Sequence, residues 1–290
     1  MSLSATLLLG FIAGVTIVLG LPIGRLRRPA PTLRVMLNSV AVGVLLFLFW
    51  DVASAAWEPI DSALASVHDG DGGLGRAVGY GLLFAAGLGV GLVGLGLWDR
   101  HMSAVGRNRG SGGPGAMAVT EHAGRVRGIA AWSPARRLAL LIAIGIGLHN
   151  FAEGLAIGQS AASNDIALAT VLVIGFALHN ATEGFGIVAP LAADKDIDGV
   201  DIRPSWGFLF AMAAIGGGPT FIGTWVGHSV TSEPVSVAFL TLAAGSIIYV
   251  VAQLLGVAAR AKRMDLVAVG LLIGILAGFI TDAIVSAGGA

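Results

Sequence analysis

Eight apolar runs, each about long enough to cross a bilayer, restrict the fold of this chain more than any other feature. They lie at about residues 4–24, 35–56, 77–98, 137–158, 167–190, 206–228, 235–258 and 266–288. A helix of roughly 20 apolar residues spans the hydrocarbon core of a membrane. Charged residues make up only 12% of the chain, against about 25% in soluble domains. The sequence therefore predicts one all-α integral membrane domain over residues 1–290, with eight transmembrane helices in the lipid bilayer.

The basic residues indicate how these helices are oriented. All 17 lysines and arginines except Arg76 lie in the connections after the first, third, fifth and seventh runs. Because basic residues concentrate in cytoplasmic loops, this distribution predicts that both termini are extracytoplasmic. The third connection, residues 99–136, contains the linker-like stretch GRNRGSGGPGAM and is expected to be a long flexible cytosolic loop between helices 3 and 4.

Capping residues mark the starts of two helices. Ser133 followed by Pro134 is typical of an N-cap with proline at the first helical position, here of helix 4. Asn164 or Asp165 could cap helix 5 in the same way. Because the connection between these two helices is short, they are expected to be antiparallel neighbours.

The composition excludes several kinds of site and partner. The formal net charge is zero, so nothing points to a nucleic-acid partner. The chain has no cysteine, which excludes disulfides and thiolate metal ligands. Any bound metal must therefore use nitrogen and oxygen ligands, and we expect no organic cofactor.

A repeated polar motif interrupts two of the apolar runs. Residues 148–154 read LHNFAEG and residues 178–184 read LHNATEG. In each motif the glutamate follows the histidine by four residues, so the two side chains lie on one face of a helix, one turn apart. The asparagine lies about 100° further round and extends the polar stripe. The motif residues are His149, Asn150 and Glu153 in helix 4, and His179, Asn180 and Glu183 in helix 5.

Both motifs lie near the middle of their helices, where burying an ionised side chain is costly. The cost is about 2.5–3.5 kcal/mol per group on insertion scales. If the helices are antiparallel neighbours, the motifs meet at one depth and two imidazoles converge with two carboxylates. That set suits a borderline divalent cation such as zinc, iron(II) or manganese(II). The ligands so predicted are His149, Glu153, His179 and Glu183.

Other functions are compatible with the same residues. Each His–Glu pair could instead form a hydrogen bond between helices or a proton relay. An intramembrane zinc-dependent hydrolase would use three ligands and keep the fourth side chain as a base. The chain has no HExxH motif and no third histidine in mid-membrane, which disfavours that enzyme. A third alternative is a proton or organic-ion carrier that binds no metal.

The remaining polar residues give weaker signals. Asp51, in the outer half of helix 2, could line an entry path, complete the site or be exposed at the interface. Asp282 lies close to the outer end of helix 8 and is expected to be interfacial. The histidines outside the motifs are expected to be solvated rather than to bind metal: His68, His101, His122 and His228.

At these motifs the chain closely resembles the ZIP (Zrt-, Irt-like) family of divalent metal transporters, and particularly its bacterial GufA-like branch. That family carries HNxPEG-type motifs in helices 4 and 5, which here read HNFAEG at 149–154 and HNATEG at 179–184. The stretch GVLLFLFWDV at 43–52 is similar to the family's helix 2, and AAGSIIYVVAQLL at 243–255 to its helix 7. The resemblance covers essentially the whole chain.

The resemblance implies a fold and a function. In the fold, helices 1–3 and 6–8 form inverted repeats around helices 4 and 5, a 3+2+3 arrangement. The function is transport, not enzymatic, and moves Zn²⁺, or Fe²⁺, Mn²⁺ or Cd²⁺, toward the cytoplasm across a bacterial inner (plasma) membrane. The metal ion is then the substrate. By motif position, the two histidines and two glutamates form the primary site, and Asn150 and Asn180 with the same glutamates line any second site.

The chain departs from the family pattern at several positions. Ala152 and Thr182 replace the motif prolines, so proline kinks neither helix. Acidic positions of many members are occupied by Gly218 in helix 6 and Gln253 in helix 7, and Asn180 replaces an aspartate of some relatives. These changes remove negative charge from the second metal position. We therefore expect one strong metal site and not a binuclear centre.

Some properties stay open at the level of the sequence. The run GGGP at 216–219 could serve as a hinge in helix 6 or only allow close packing. The identity of the metal and the driving force are not determined, although glutamates that exchange metal for protons would make transport depend on pH. The 44 glycines allow close helix packing and are compatible with a homodimer.

Overall fold

The computed structural model describes residues 1–25, 31–107, 129, 132–162, 166–194, 202–230 and 232–287. These residues form eight α-helices and, among them, no β-strand. The helices are α1 (Leu3–Val15), α2 (Pro31–His68), α3 (Leu74–Arg107), α4 (Pro134–Ala162), α5 (Ile166–Val188), α6 (Trp206–Ser229), α7 (Glu233–Ala259) and α8 (Met264–Ala287). Two 3₁₀ segments, Thr16–Arg25 and Ala189–Ala193, continue α1 and α5.

The described helices have the dimensions of membrane spans. Seven of them are long and apolar enough to cross a bilayer when α1 is taken together with its 3₁₀ continuation to Arg25, and α5 is the one outside that set. The predicted class, an all-α membrane protein, is confirmed. The count of eight spans and the extracytoplasmic position of the termini stay predictions from the sequence.

Several helices are longer than the apolar runs that predicted them. α2 has 38 residues and ends at His68, although its apolar run ends near residue 56. α3 continues to Arg107 and α4 begins at Pro134, so the loop expected over 99–136 is shorter at both ends. The apolar run marks only the part that must lie in lipid, whereas helical hydrogen bonding continues into the polar zone. Most of the remaining loop lies outside the described residues.

The predicted capping of α4 is present. The backbone N–H of Arg136 donates to the Ser133 hydroxyl at 3.2 Å, with Pro134 at the first helical position. The corresponding candidates for α5, Asn164 and Asp165, lie outside the described residues.

The first apolar run does not form one regular α-helix. It changes to a 3₁₀ helix at Thr16, and Pro22, which has no backbone N–H, lies within that segment. The tighter segment lies directly against α5: a Cβ on Gly20 would be only 2.7 Å from the Cα of Gly184. Backbone contact at this point holds the end of the first run beside the second motif.

The helices pack as two groups. The site bundle consists of α1, α4, α5 and α6, and the flanking bundle of α2, α3, α7 and α8. Within the flanking bundle α2 packs on α8 and α3 packs on α7. In a 3+2+3 inverted repeat, helices 1, 2 and 3 correspond to helices 6, 7 and 8. The pair α2 and α8 then corresponds to the pair α7 and α3, and both pairs are present. The two bundles meet mainly where α7 packs on α4 and α2 packs on α5.

Glycines allow the helices of the site bundle to approach closely. A Cβ on Gly217 of α6 would overlap the carbonyl oxygen of Gly14 in α1. A Cβ on Gly223 would likewise overlap the carbonyl oxygen of Phe151 in α4. α6 is continuous through Pro219. The glycine-rich run of α6 therefore provides close packing in this structure.

The main apolar core lies on one side of the two motifs. It joins α2, α4, α5, α6 and α7 through buried side chains that include Leu45, Ile146, Ile187, Met212 and Leu254. On α4 this core precedes the first motif, and on the antiparallel α5 it follows the second. By the orientation predicted from the basic residues, this is the cytoplasmic side, which is closed by dense packing.

Candidate metal centre

The two motifs meet between α4 and α5. His149 Nε2 lies 2.8 Å from Glu153 Oε1 on its own helix and 3.8 Å from Glu183 Oε1 on α5. His179 Nε2 hydrogen-bonds the same Glu153 oxygen. The two imidazole rings are 6.0 Å apart between centroids. The structure thus brings together all four side chains that the sequence singled out as ligands.

This group has the donor set and spacing of a metal site. His149, His179 and Glu183 can each offer one ligand atom, and these atoms lie within 4.8 Å of one another. One oxygen of Glu153, Oε1, contacts the Nε2 atoms of both imidazoles. Among the buried atoms without a hydrogen-bond partner are Glu153 Oε2 and Glu183 Oε1. Buried carboxylate oxygens need such partners, and a divalent cation would supply one to each.

The motif asparagines are buried beside this group, but their contacts differ. The Asn150 side-chain nitrogen donates to Glu183 Oε2 at 3.1 Å and to the carbonyl of Gly216 at 2.9 Å. The Asn180 nitrogen donates to the carbonyl of Ala13 at 3.1 Å. Asn150 therefore bridges α4, α5 and α6, whereas Asn180 joins α5 to α1.

A cavity of about 420 Å³ borders the group and continues along α4 to Ala156 and along α5 to Gly175, away from the part of the apolar core that these two helices form. His149, Glu153 and His179 form part of its wall. So do two further carboxylates, Asp51 of α2 and Asp282 of α8. The rest of the wall is mostly apolar and comes from both bundles: Val44, Phe47, Leu48, Val52, Ala55, Ala152, Ala156, Phe176, Leu240 and Ala277.

Asp282 lies in the wall of this cavity, a position that the sequence did not indicate. It was expected to be interfacial, but it lines the cavity that leads to the motifs. A signal was available, since an acidic residue within an apolar run carries a burial cost that usually has a functional reason. Asp51 is half-buried and lines the same cavity, which favours the entry-path alternative over exposure at the interface.

Two of the positions that depart from the family pattern, Thr182 and Gln253, have local hydrogen-bond partners. Thr182, at a motif proline position, donates its hydroxyl to the His179 carbonyl at 2.7 Å. Gln253 donates to the Tyr249 hydroxyl, which donates in turn to Asp99. None of these last three residues lines the cavity wall. Gln253 thus belongs to a separate contact between α7 and α3.

The histidines outside the motifs do not join the group where they are described. His68 and His101 are exposed, and His228 is half-buried near the end of α6. His122 lies outside the described residues. Sequence reasoning also missed Asp194, a buried carboxylate directly after the 3₁₀ segment that continues α5. Its partners Ser133 and Arg136 are about 60 residues away in the chain, so no local pattern connects the three residues.

These features define a class: an all-helical membrane protein that holds a group of histidine and glutamate side chains within its bundle and a cavity leading to it. The family model described as ZIP Zinc transporter matches residues 99–286, and the chain belongs to this family. No curated protein shows a significant match to the chain. Family membership makes the chain a multi-pass transporter of divalent metal ions, with the metal as substrate.

Proposed function

We propose that this protein carries a divalent transition metal, Zn²⁺ first among the candidates, toward the cytoplasm through His149, Glu153, His179 and Glu183. One observation supports the proposal above the others. Four ionisable side chains with Zn²⁺-type donor atoms come together, three of them buried and that of His179 10% exposed, and carboxylate oxygens among them have no hydrogen-bond partner. A cation neutralises both glutamates, and two imidazoles with two carboxylates provide the tetrahedral set that zinc prefers.

The cavity supplies the proposed entry path. Asp51 and Asp282 stand in its wall, and in a largely apolar cavity their charge raises the local concentration of cations. The path ends at the imidazoles of His149 and His179 and at Glu153. The metal then moves from the carboxylates of Asp51 and Asp282 to a site with nitrogen ligands, which bind borderline cations more strongly than oxygen alone.

Release toward the cytoplasm requires the packing below the site to change. Backbone contacts through glycines hold the site bundle together, as at Gly217 and Gly14. Between the bundles, the neighbours of Gly186 of α5 are side-chain methyl groups, with Leu254 Cδ1 3.6 Å from where a Cβ would lie. Side chains can change rotamers, whereas interlocked backbones cannot. The contacts therefore favour a cycle in which the site bundle moves as a unit against the flanking bundle.

Several finer properties form part of the proposal. Fe²⁺, Mn²⁺ and Cd²⁺ are alternative substrates, because the same donor set accepts several ions and affinity alone does not decide selectivity. The protein is proposed to be a GufA-like member in a bacterial inner membrane, with one strong metal site. A homodimer is the oligomer that we propose.

Zinc influx into proteoliposomes tests the function. Wild type should accumulate Zn²⁺, and Glu153→Ala and Glu183→Ala should each abolish accumulation, since each removes a ligand from the buried group. Glu58→Ala is the matched control, because Glu58 is an exposed carboxylate on α2. If wild type binds Zn²⁺ but transports none, the transport proposal fails and an intramembrane zinc-dependent hydrolase becomes the better hypothesis.

A further inference from the structure

The orientation of the Asn150 side chain is chemically determined. Its amide group contacts two atoms, the Gly216 carbonyl oxygen at 2.9 Å and Glu183 Oε2 at 3.1 Å. A carbonyl oxygen only accepts hydrogen bonds, so the atom facing it must be the amide nitrogen. The nitrogen has two hydrogens, and these two contacts use both. The amide oxygen of Asn150 therefore makes neither of these contacts, and it is buried without a hydrogen-bond partner.

This arrangement holds one oxygen of Glu183 and leaves the other free. Oε2 accepts the hydrogen bond from Asn150, while Oε1 has no hydrogen-bond partner and lies 3.8 Å from His149 Nε2. Asn150 is fully buried and is itself anchored to α6 through Gly216. The carboxylate is consequently held at a fixed rotation with one oxygen directed to the histidines.

We propose that Asn150 is a positioning residue that orients Glu183 for monodentate metal binding. The inference rests on the proposed function, since Glu183 must be a ligand for its orientation to matter. Outer contacts that orient ligating carboxylates commonly change metal affinity by about 10–100-fold when they are removed.

Asn180 provides an internal comparison. It occupies the same place in the second motif and is also fully buried. Its nitrogen donates to the carbonyl of Ala13 on α1, and among the described residues no hydrogen bond joins Asn180 to either glutamate. Asn180 thus contributes to the packing of α5 on α1. The two asparagines look equivalent in the sequence, but the structure gives them different tasks.

Zn²⁺ binding to the purified full-length protein tests the assignment. We expect Asn150→Ala to weaken binding at least tenfold. Asn150→Asp should weaken Zn²⁺ binding at least as much. In that variant a carboxylate oxygen, which only accepts, would face the Gly216 carbonyl oxygen and Glu183 Oε2. Asn180→Ala should stay within threefold of wild type. If Asn150→Asp binds Zn²⁺ as tightly as wild type or more tightly, the hydrogen bond from Asn150 to Glu183 is not needed for binding and the inference is overturned. Unchanged binding in both Asn150 variants overturns it equally.

A double-mutant cycle covers the case in which Asn150→Asp does not fold. In a Glu183→Gln background, Asn150→Ala should cause little further loss of Zn²⁺ affinity if Asn150 acts through Glu183. A further loss of tenfold or more would show that Asn150 acts independently of Glu183, and the inference would be overturned. Thermal unfolding of each metal-free variant identifies effects that come from folding alone. Transport is measured separately, so a protein that binds Zn²⁺ as expected but moves none refutes the proposed function and leaves this inference standing.

Discussion

The buried ion pair that joins the start of α4 to the segment after α5 gives a sharp test of the structure. The Asp194 side chain is completely buried and accepts hydrogen bonds from Arg136 Nε at 2.8 Å and from the Ser133 hydroxyl at 2.5 Å. Arg136 is 28% exposed, and its guanidinium also lies 5.5 Å from the centre of the Phe208 ring. The two partners of the pair therefore differ in their access to water.

That difference predicts an unequal cost for the two single substitutions. Among the described residues, Arg136→Ala leaves the buried carboxylate of Asp194 with Ser133 as its one side-chain partner. An uncompensated buried charge costs about 3–5 kcal/mol. Asp194→Ala leaves a guanidinium that can turn toward water. Its cost is then the loss of hydrogen bonds to a charged group, about 1.5–3 kcal/mol. Arg136→Ala should thus destabilise the protein more than Asp194→Ala.

Equilibrium unfolding by SDS in mixed micelles, followed by tryptophan fluorescence, measures both free energies of unfolding. Asp265→Ala is the matched control, because Asp265 pairs with Arg263 at a comparable distance but both side chains are more than half exposed. The control should lose little stability, since exposed ion pairs contribute little. The reasoning is refuted if Asp194→Ala costs more than Arg136→Ala, or if both behave like the control.

Two further predictions use the same assay. Gly217→Ala should destabilise the protein by about 1–3 kcal/mol, because the new Cβ would overlap the Gly14 carbonyl oxygen. The adjacent Gly218→Ala should be neutral or stabilising, because nothing lies within 4 Å of the position that its new Cβ would take. Equal effects of the two substitutions would contradict the α1–α6 packing. Zn²⁺ at about 100 times its Kd should stabilise wild type by about 2.7 kcal/mol, since it binds only the folded site, and should not stabilise Glu153→Ala. A variant stabilised as much as wild type would show that Zn²⁺ binds elsewhere.

Much of the candidate site was predictable because the membrane restricts the alternatives. An ionisable residue in mid-membrane needs a partner, and the doubled motif indicated which residues supply it. Helical spacing placed His149 beside Glu153, and a short connection placed α5 beside α4. The four side chains therefore meet as predicted. Helix ends were predicted less well, as α2 shows, because hydrogen bonding continues beyond the apolar run.

The sequence by itself determined the class of protein, the helices and the residues of the central group, because lipid requires internal backbone hydrogen bonds and paired charges. Only the tertiary structure decided which way the amide of Asn150 faces, that Asp51 and Asp282 share one cavity, and that Asp194 pairs with Arg136. Each of these depends on contact between helices that are far apart in the chain. Such contacts follow from packing in three dimensions and leave no period or motif in the sequence.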